Sequence, residues 1–402
     1  MAEALAPPRR LAPRGRGGAR RRGPAARLGW ALFLLVDVPV AAAVAVGLGA
    51  AVLPPRPFWW AQLAAVGLPY AALALLALTA VPLAARRWGW LAVHVVLVGA
   101  VASRALPAGR FAGPDPAPTD LVLTSFNVPQ TGPSAAALGD SAAAFVAATR
   151  PDVLALQDSW VFPAQQGDGA DYAAQVEGIL GRLPYDLAVP ATVVEYPGRK
   201  RVGTSVPVLV RRGSGVEVVE QGPVVVGPAG DPAASVALRT RFRWRGREAV
   251  LYNVHLRSFG EAKPWEDESV RWDRPRSWVP YLRQYRAVYA GRRADVADLA
   301  ERIEAEALPV VVAGDFNSTA DNWSYWRLRR AGLGGGVVGP SRLDAFREGG
   351  GAAWGRTYRA DRPLVRIDFV LADPAFVVTA AETAPVAFSD HRPVRVRLRW
   401  RE

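Results

Sequence analysis

Near its N-terminus the chain carries three apolar runs in tandem, Leu28–Leu53, Phe58–Leu83 and Trp88 to about Leu106, and any fold must find a place for them. About 20 apolar residues cross a bilayer, so the first two runs are long enough to span. The third is shorter and ends on Arg104, a side chain placed to snorkel. Tryptophans stand at several edges (Trp30, Trp59, Trp60, Trp88, Trp90), as interfacial anchors do. A signal peptide is excluded, because the first run is too long, no small-residue cleavage site ends it and two more runs follow. The reading is three transmembrane helices within residues 28–110 and a partner that is the lipid bilayer. Asp37 and His94 fall inside these runs; Asp37 is expected near an interface or paired within the bundle beside Pro39.

Charge decides orientation and limits the partners. The formal +13 is concentrated at the front: residues 1–110 hold 13 Arg against Glu3 and Asp37, a net +11, which leaves +2 for the other 292 residues. Eight of those Arg precede the first run, one (Arg56) follows it, and Arg86 and Arg87 lie in the next loop. The positive-inside rule therefore places residues 1–27, a basic tail too poor in apolar residues to fold, in the cytoplasm. Three crossings then place the rest in an extracytoplasmic position on the cell membrane. A nearly neutral domain lacks the electrostatic footprint of a dedicated duplex nucleic-acid binder. With no cysteine, there is no disulfide framework, thiolate metal site or cysteine nucleophile.

Residues 111–118 form a stiff, Pro-rich linker. Over 119–402 strands and helices alternate. Leu121–Phe126 and Asp152–Leu156 read as strands, Ser134–Thr149 and Ala170–Leu183 as helices, and 186–254 as several antiparallel strands. A long helix over Tyr281–Ala307 precedes the run Val310-Val311-Val312-Ala313, which a Gly314-Asp315 turn signal stops. Three later strands lie at Arg366–Leu371, Phe376–Thr379 and Val394–Trp400. Mixed strands with helices outside predict a layered α/β sandwich.

Polar residues gather at the strand ends. Asp315 and Asn317 leave their strand together, with Ser318 or Thr319 set to cap a helix near Asp321. A carboxylate beside a carboxamide offers an acceptor for a water proton and a dipole for a phosphoryl oxygen. The two histidines outside the apolar runs, His255 in Leu251-Tyr252-Asn253-Val254-His255 and His391 in Ser389-Asp390-His391-Arg392-Pro393, also sit at strand ends. So do Asn127 and Asp158, while Asp368 lies in Arg366-Ile367-Asp368. Oxygen ligands without thiolates suit a hard ion, Mg2+ or Mn2+.

This series resembles the endonuclease/exonuclease/phosphatase superfamily of DNase-I-like, metal-dependent phosphoesterases from about Leu121 to Arg399, with the motifs in the family's order. The resemblance implies a four-layer α/β/β/α sandwich. It implies that Asn127 and Asp158 hold the metal with Asp390 nearby, that His255 and Asn317 bind the scissile phosphate, and that Asp315 orients or deprotonates water. His391, held in its tautomer by Asp368, would act as acid, base or phosphate ligand. The family carries Glu where this chain has the shorter Asp158. The anchor and outward domain further resemble a bacterial group of membrane-tethered members, including some linked to glycopeptide-antibiotic resistance. That implies a phosphate-ester substrate that is a lipid-linked phosphate or pyrophosphate. An extracytoplasmic nuclease and a non-catalytic binding module are the alternatives. The segment Arg257–Tyr289, with Trp265, Trp272, Trp278, Tyr281, Tyr285 and Tyr289 among five further Arg, could stack on bases, lie in a lipid interface or pack on itself.

Overall fold

The computed structural model of the protein describes residues 23–105, 114–128, 134–159, 170–188, 205–228, 230–231, 233–260, 264, 267–271, 273–332, 342–350 and 355–402. Most of the basic tail, the first linker residues and the aromatics Trp265 and Trp272 lie outside the described residues.

The apolar runs form helices α1 (Pro24–Gly49), α2 (Trp59–Leu78), α3 (Ala80–Ala84) and α4 (Trp88–Ala105). Two segments, α1 and the nearly continuous Trp59–Ala84, have 26 residues each and mean hydropathies of 2.4 and 2.0. At 1.5 Å per residue each is about 39 Å long, enough to cross a bilayer. Only 22% of either apolar window is buried, and Leu32, Leu35, Leu73 and Leu76 are exposed. A core helix of a water-soluble domain would be largely covered, so these flanks need an apolar neighbour. The apolar part of α4, Trp88–Arg104, is a shorter helix. It rises about 26 Å, less than the roughly 30 Å of hydrocarbon. By length and composition, then, two helices can span rather than the expected three. Arg104 does not snorkel either: its Nη2 donates to the Leu48 carbonyl (2.9 Å), and Nη1 lies 3.5 Å from Asp321 of the following domain.

Asp37 is paired within the bundle. It is fully buried, accepts from Trp90 Nε1 and lies 3.2 Å from His94 Nε2. The Thr79 hydroxyl donates to Leu75 O (2.9 Å), so His94 Nδ1, 3.1 Å away, is the donor to Thr79 Oγ1. Nε2 then faces the carboxylate. This cluster ties α1, Thr79 at the head of α3 and α4 together.

The domain follows in the order β1 (Leu121–Asn127), α5 (Ala135–Thr149), β2 (Val153–Gln157), α6 (Ala170–Arg182), β3 (Tyr185–Leu187), β4 (Val208–Arg211), β5 (Val216–Val226), β6 (Ser235–Trp244) and β7 (Arg247–His255). Then come α7 (Val279–Glu304), β8 (Val310–Asp315), α8 (Trp323–Arg330), β9 (Leu343–Asp344), α9 (Ala345–Glu348), β10 (Asp368–Ala372), β11 (Phe376–Thr383) and β12 (Val394–Trp400). They build two six-stranded sheets, ordered β11-β12-β1-β2-β4-β3 and β5-β6-β7-β8-β10-β9. Each sheet centres on one parallel pair, β1–β2 and β7–β8, whose crossovers carry α5 and α7.

Alternation along the central strands produces the layers. Leu121 and Leu123 of β1 meet Val311 and Ala313 of β8 in the core between the sheets. The intervening Val310 and Val312 face Val296, Leu299 and Ile303 of α7. On the far side Leu154 and Leu156 of β2 pack on Leu138, Val146, Val176 and Ile179 of α5 and α6. Strands covered on both faces read as unbroken apolar runs, as Val310–Ala313 does. Fully burying each such Val or Leu contributes about 1.5–3 kcal/mol. The arrangement is a two-sheet α/β sandwich with helices outside both sheets.

Candidate active site

Strand register assembles the site. In the parallel pairing His255 stands opposite Asp315, and in the antiparallel pairing Asp368 stands opposite Asp315. Residues in register share a face, and Asp315 continues the Val311, Ala313 face that looks into the inter-sheet core. Asn127 likewise continues the Leu121, Leu123 face of the other sheet and donates from Nδ2 to Asp315 Oδ2 (3.0 Å). The site is therefore the open end of the core between the sheets. One layer deeper, Gln157 Nε2 donates to Asn253 Oδ1 (2.7 Å), and Asn253 Nδ2 lies 2.8 Å from the Leu156 carbonyl, tying the two sheets beneath the site.

Gly314 allows that geometry. Its φ is +141°, and a Cβ there would lie 1.9 Å from the Val254 carbonyl, so β8 approaches β7 closely beside Asp315 only with glycine. Asn317, read from the sequence as leaving the strand together with Asp315, is placed by a turn: its φ is +46°, and its backbone N–H donates to Asp315 Oδ1 (2.7 Å). Its Nδ2 donates to the Leu256 carbonyl (2.8 Å) and lies 3.4 Å from Asp315 Oδ2.

The two imidazoles are held in the same way. His391 Nδ1 lies 3.0 Å from Asp368 Oδ2, and its Nε2 lies 3.8 Å from Asp315 Oδ2. His255 Nδ1 lies 3.2 Å from Asp158 Oδ1, and its Nε2 lies 3.7 Å from Asp315 Oδ2. Each carboxylate on Nδ1 fixes a tautomer, and each Nε2 turns toward the same central acid. Burial alone would lower both histidines. The charge of Asp158 overrides it for His255, raised to about 9, and those of Asp368 and Asp315 override it for His391, raised to about 10. Asp315 is shifted upward, by burial first and by the Asp368 charge second. Asp158, which burial would raise, is held low by the charge of His255. Two imidazolium groups about one buried carboxylate can grip a phosphoryl group while Asp315 takes a proton from water.

Sequence reasoning missed the residues that brace this centre. Ser389 Oγ donates to the Asn127 carbonyl (2.8 Å) and accepts from the His391 N–H (3.0 Å), joining two site residues. Thr357 Oγ1 accepts from the Asp368 N–H (3.3 Å), and the Tyr358 ring lies 4.9 Å from the His391 ring. Arg292, buried on α7, donates to the Arg257 carbonyl (2.7 Å) and lies 3.3 Å from Ser318 Oγ, holding the loop after Asn317 from behind. Ser389 stands in the run quoted around His391 but was given no role there, and no motif marks Thr357, Tyr358 or Arg292, because they act through contacts that only the fold brings near. In the aromatic segment Phe259 packs on Tyr285 and the buried Tyr289 (4.7 and 5.2 Å), so part of it packs on itself.

The expected metal ligands fall in two groups. Asn127 Oδ1 is buried with no hydrogen-bond partner, and the Asp158 carboxylate is partly exposed beside it, close enough for Asn127 to bond to it. An orphaned carbonyl oxygen and a carboxylate are a donor pair that fits a hard divalent ion. Asp390 is exposed, and its backbone carbonyl accepts from the Ala360 N–H (2.7 Å). A second acidic and imidazole group exists in Asp315, Asp368 and His391, with one ligand-type atom of each within 4.8 Å of the others. A divalent ion at this position would be held by Asn127 and Asp158 and would supply positive charge to phosphoryl oxygens.

Fold and site together define a phosphoesterase-type centre at the open end of a two-sheet α/β sandwich. The chain belongs to the Endonuclease/Exonuclease/phosphatase family, whose model matches residues 124–391; its members are phosphoester hydrolases that generally use a divalent metal. Comparison with curated proteins finds no match. Solved structures similar to the chain include an endonuclease/exonuclease/phosphatase from Bacteroides vulgatus (17% identity, 70% of this chain and 99% of that one, TM-score 0.46). Others are a mannosyl-6-phosphatase from Bacteroides thetaiotaomicron (18%, 70% and 100%, 0.43) and the human Nocturnin catalytic domain with bound sulfate (15%, 73% and 97%, 0.48).

Proposed function

We propose that the protein is a membrane-anchored, Mg2+- or Mn2+-dependent phosphoesterase that hydrolyses a lipid-linked phosphate or pyrophosphate at the outer membrane surface. The observation that carries this reading is the docking of the catalytic loop on the apolar helices. Asn322, five residues after Asn317, donates from Nδ2 to the Gln62 carbonyl (2.9 Å), and the Trp323 N–H donates to Gln62 Oε1 (3.1 Å). Gln62 on α2 thus caps α8, where Ser318 or Thr319 was expected to do so; it is held in turn by donating to the carbonyls of Ala50 (3.0 Å) and Leu53 (3.3 Å).

The ends of the helices at this junction are the C-terminus of α1, the N-terminus of α2 and the C-terminus of α4. The reading takes α4, short as it is, as a third crossing packed beside α1 and α2. On that reading these junction ends are the ones that the Arg distribution assigns to the outer face, while Arg87, stacked 4.8 Å over Trp30, marks the opposite end. With only α1 and α2 crossing, the same distribution would put the domain on the cytoplasmic side. A site whose own loop is seated on the anchor works within reach of the bilayer surface. Within it, His255, His391 and Asn317 bind and orient the phosphoryl group, Asp368 and Asp158 hold the imidazoles, and Asp315 accepts the proton of the attacking water.

Phosphate release by the detergent-solubilised full chain tests the reading. It is measured on a lipid pyrophosphate, a phosphodiester lipid and plasmid DNA, with Mg2+ and with chelator, beside His391→Ala. Chelator-sensitive lipid hydrolysis lost in the variant is the expected result; nicking of DNA without lipid hydrolysis would overturn it in favour of a tethered nuclease. Because the chain lacks cysteine, Glu217→Cys labelled from outside intact cells reads the topology directly.

A further inference from the structure

The turn that follows Asn317 is closed by one side chain. Asn322 Oδ1 accepts from the Thr319 N–H (2.7 Å) and from the Thr319 hydroxyl (2.9 Å), and the Asn322 N–H returns to the Thr319 carbonyl (3.1 Å). Asn322 is also the N-cap of α8, with the extended backbone (φ −78°, ψ 153°) from which an Asn side chain ordinarily accepts an N–H of its own helix. Here it makes no such bond. Its carboxamide is turned back onto Thr319, and Gln62 of α2 meets the other end of it. Asn322 Nδ2 lies 2.9 Å from the Gln62 carbonyl and 3.2 Å from Gln62 Oε1, which also accepts the Trp323 N–H (3.1 Å). Gln62 and Asn322 are each 1% exposed. A second anchor residue reaches the same turn, since Arg104 Nη1 lies 3.5 Å from Asp321 Oδ1.

We propose that Gln62 is a positioning residue of the active site: it selects the Asn322 rotamer that braces the catalytic turn over the rotamer that caps α8. The inference rests on the reading of Asn317 as a phosphoryl ligand, and not on the lipid-linked substrate. Both Gln62 oxygens face the Asn322 amide nitrogen, so they favour only a carboxamide turned backward. By accepting the Trp323 N–H, Gln62 also supplies α8 with a partner for one of its free N–H groups and lessens its need for a cap from Asn322. Asn317 needs the brace because its φ of +46° is held only where the surroundings fix it. Asp315 Oδ1 and the Leu256 carbonyl hold it from the strand side, and the bonds between Thr319 and Asn322 fix the chain two residues further on. The anchor thus sets the geometry of Asn317 as well as the place of the domain.

Hydrogen–deuterium exchange of the full chain in detergent tests this without any substrate. In Asn322→Asp the carboxylate keeps the acceptor oxygen but is repelled by the two Gln62 oxygens, so it should swing forward to cap α8. Exchange over residues 316–319 should rise by at least about tenfold, while β8 and α2 keep their protection. The melting temperature should stay within a few degrees, because Asp caps helices as well as Asn does. Gln62→Met, which introduces no charge, should raise exchange over the same residues. Turnover of p-nitrophenyl phosphate and bis(p-nitrophenyl) phosphate gives the second readout. In Asn322→Asp kcat should fall about tenfold to a hundredfold, further than KM rises. Adding Gln62→Met should cost little more, because both act through one brace. Unchanged exchange over 316–319 in both variants overturns the inference. So does a rise spread over α1, α2 and the domain together, which would make Gln62 a clasp of the whole bundle, and so do losses of kcat that multiply. A wild type that hydrolyses no phosphate ester overturns the phosphoesterase reading, and exchange alone then decides whether Gln62 holds the turn.

Discussion

Asp368 stands directly across from Asp315 on neighbouring strands, and the His391 imidazole lies beside both carboxylates. Like charges in register destabilise a strand pair. A cation between them converts the repulsion into a grip on the imidazole, and His391 is raised accordingly despite its burial.

His391 and Asp368 therefore act as one unit. His391→Ala and Asp368→Asn should each lower kcat by about 10²- to 10⁴-fold, the range for loss of a positioned acid or base. The double variant should be little worse than His391→Ala, because the carboxylate works only through the ring. Phosphate-release kinetics on variants of unchanged melting temperature check this; losses that multiply would mean that Asp368 has a separate role.

Asp158 divides its carboxylate between His255 and a metal-type position beside Asn127. A longer arm should reach the ion without releasing the imidazole. Asp158→Glu is expected to lower the Mg2+ concentration for half-maximal activity several-fold, and Asp158→Asn to raise it by at least about tenfold. Chelator should abolish activity in all three forms. A Mg2+ requirement unchanged by either substitution would remove Asp158 from the metal site.

Gly314 has a different kind of importance. A methyl group there would collide with the Val254 carbonyl at a φ that L-residues avoid. Gly314→Ala should separate β7 from β8, break the His255–Asp315 register and abolish both folding and activity. A variant that melts within a few degrees of the wild type would show that the backbone relaxes around the added carbon.

The polar side chains that the structure gathers were partly legible in the sequence: Asn127, His255 and Asp315 each stand at the end of an apolar strand beside a turn former, and such strand ends converge in a layered α/β fold. Asp368, by contrast, was read inside its strand and singled out only by the family resemblance. What strand periodicity could not show is register: His255, Asp315 and Asp368 form a row only because β7, β8 and β10 are neighbours. Asn317 was read as leaving the strand together with Asp315, yet an Asx-type turn to Asp315 is what places it. The spanning potential of α1 and α2 could be read from hydropathy, whereas Arg104 is taken up by Leu48 and Asp321, partners far away in the chain. Gln62 was invisible for the same reason, as its partners Asn322 and Trp323 lie about 260 residues on.

The Asp344–Arg366 pair supplies an acid-sensitive clamp behind the site. Asp344 is 1% exposed and also accepts from the Tyr325 hydroxyl (2.8 Å), while Arg366 leads into Asp368. Burial alone would raise the Asp344 carboxyl; the Arg366 guanidinium overrides it and holds the group below its ordinary value. A carboxyl depressed in the folded state contributes stability that is complete above its unfolded value, about 3.9, and is lost as pH falls through the lower folded value. The wild type should therefore lose melting temperature steeply below about pH 4. Asp344→Asn leaves Arg366 buried without its counter-charge, which costs about 3–5 kcal/mol at neutral pH. Its melting temperature should be low at pH 7 and should fall less on acidification, so that the two curves converge. Thermal melts of the full chain in detergent at pH 7, 5 and 3.5 check this. Parallel curves would assign the acid sensitivity to other carboxylates, and an unchanged melting temperature at pH 7 would mean that the pair contributes no net stability.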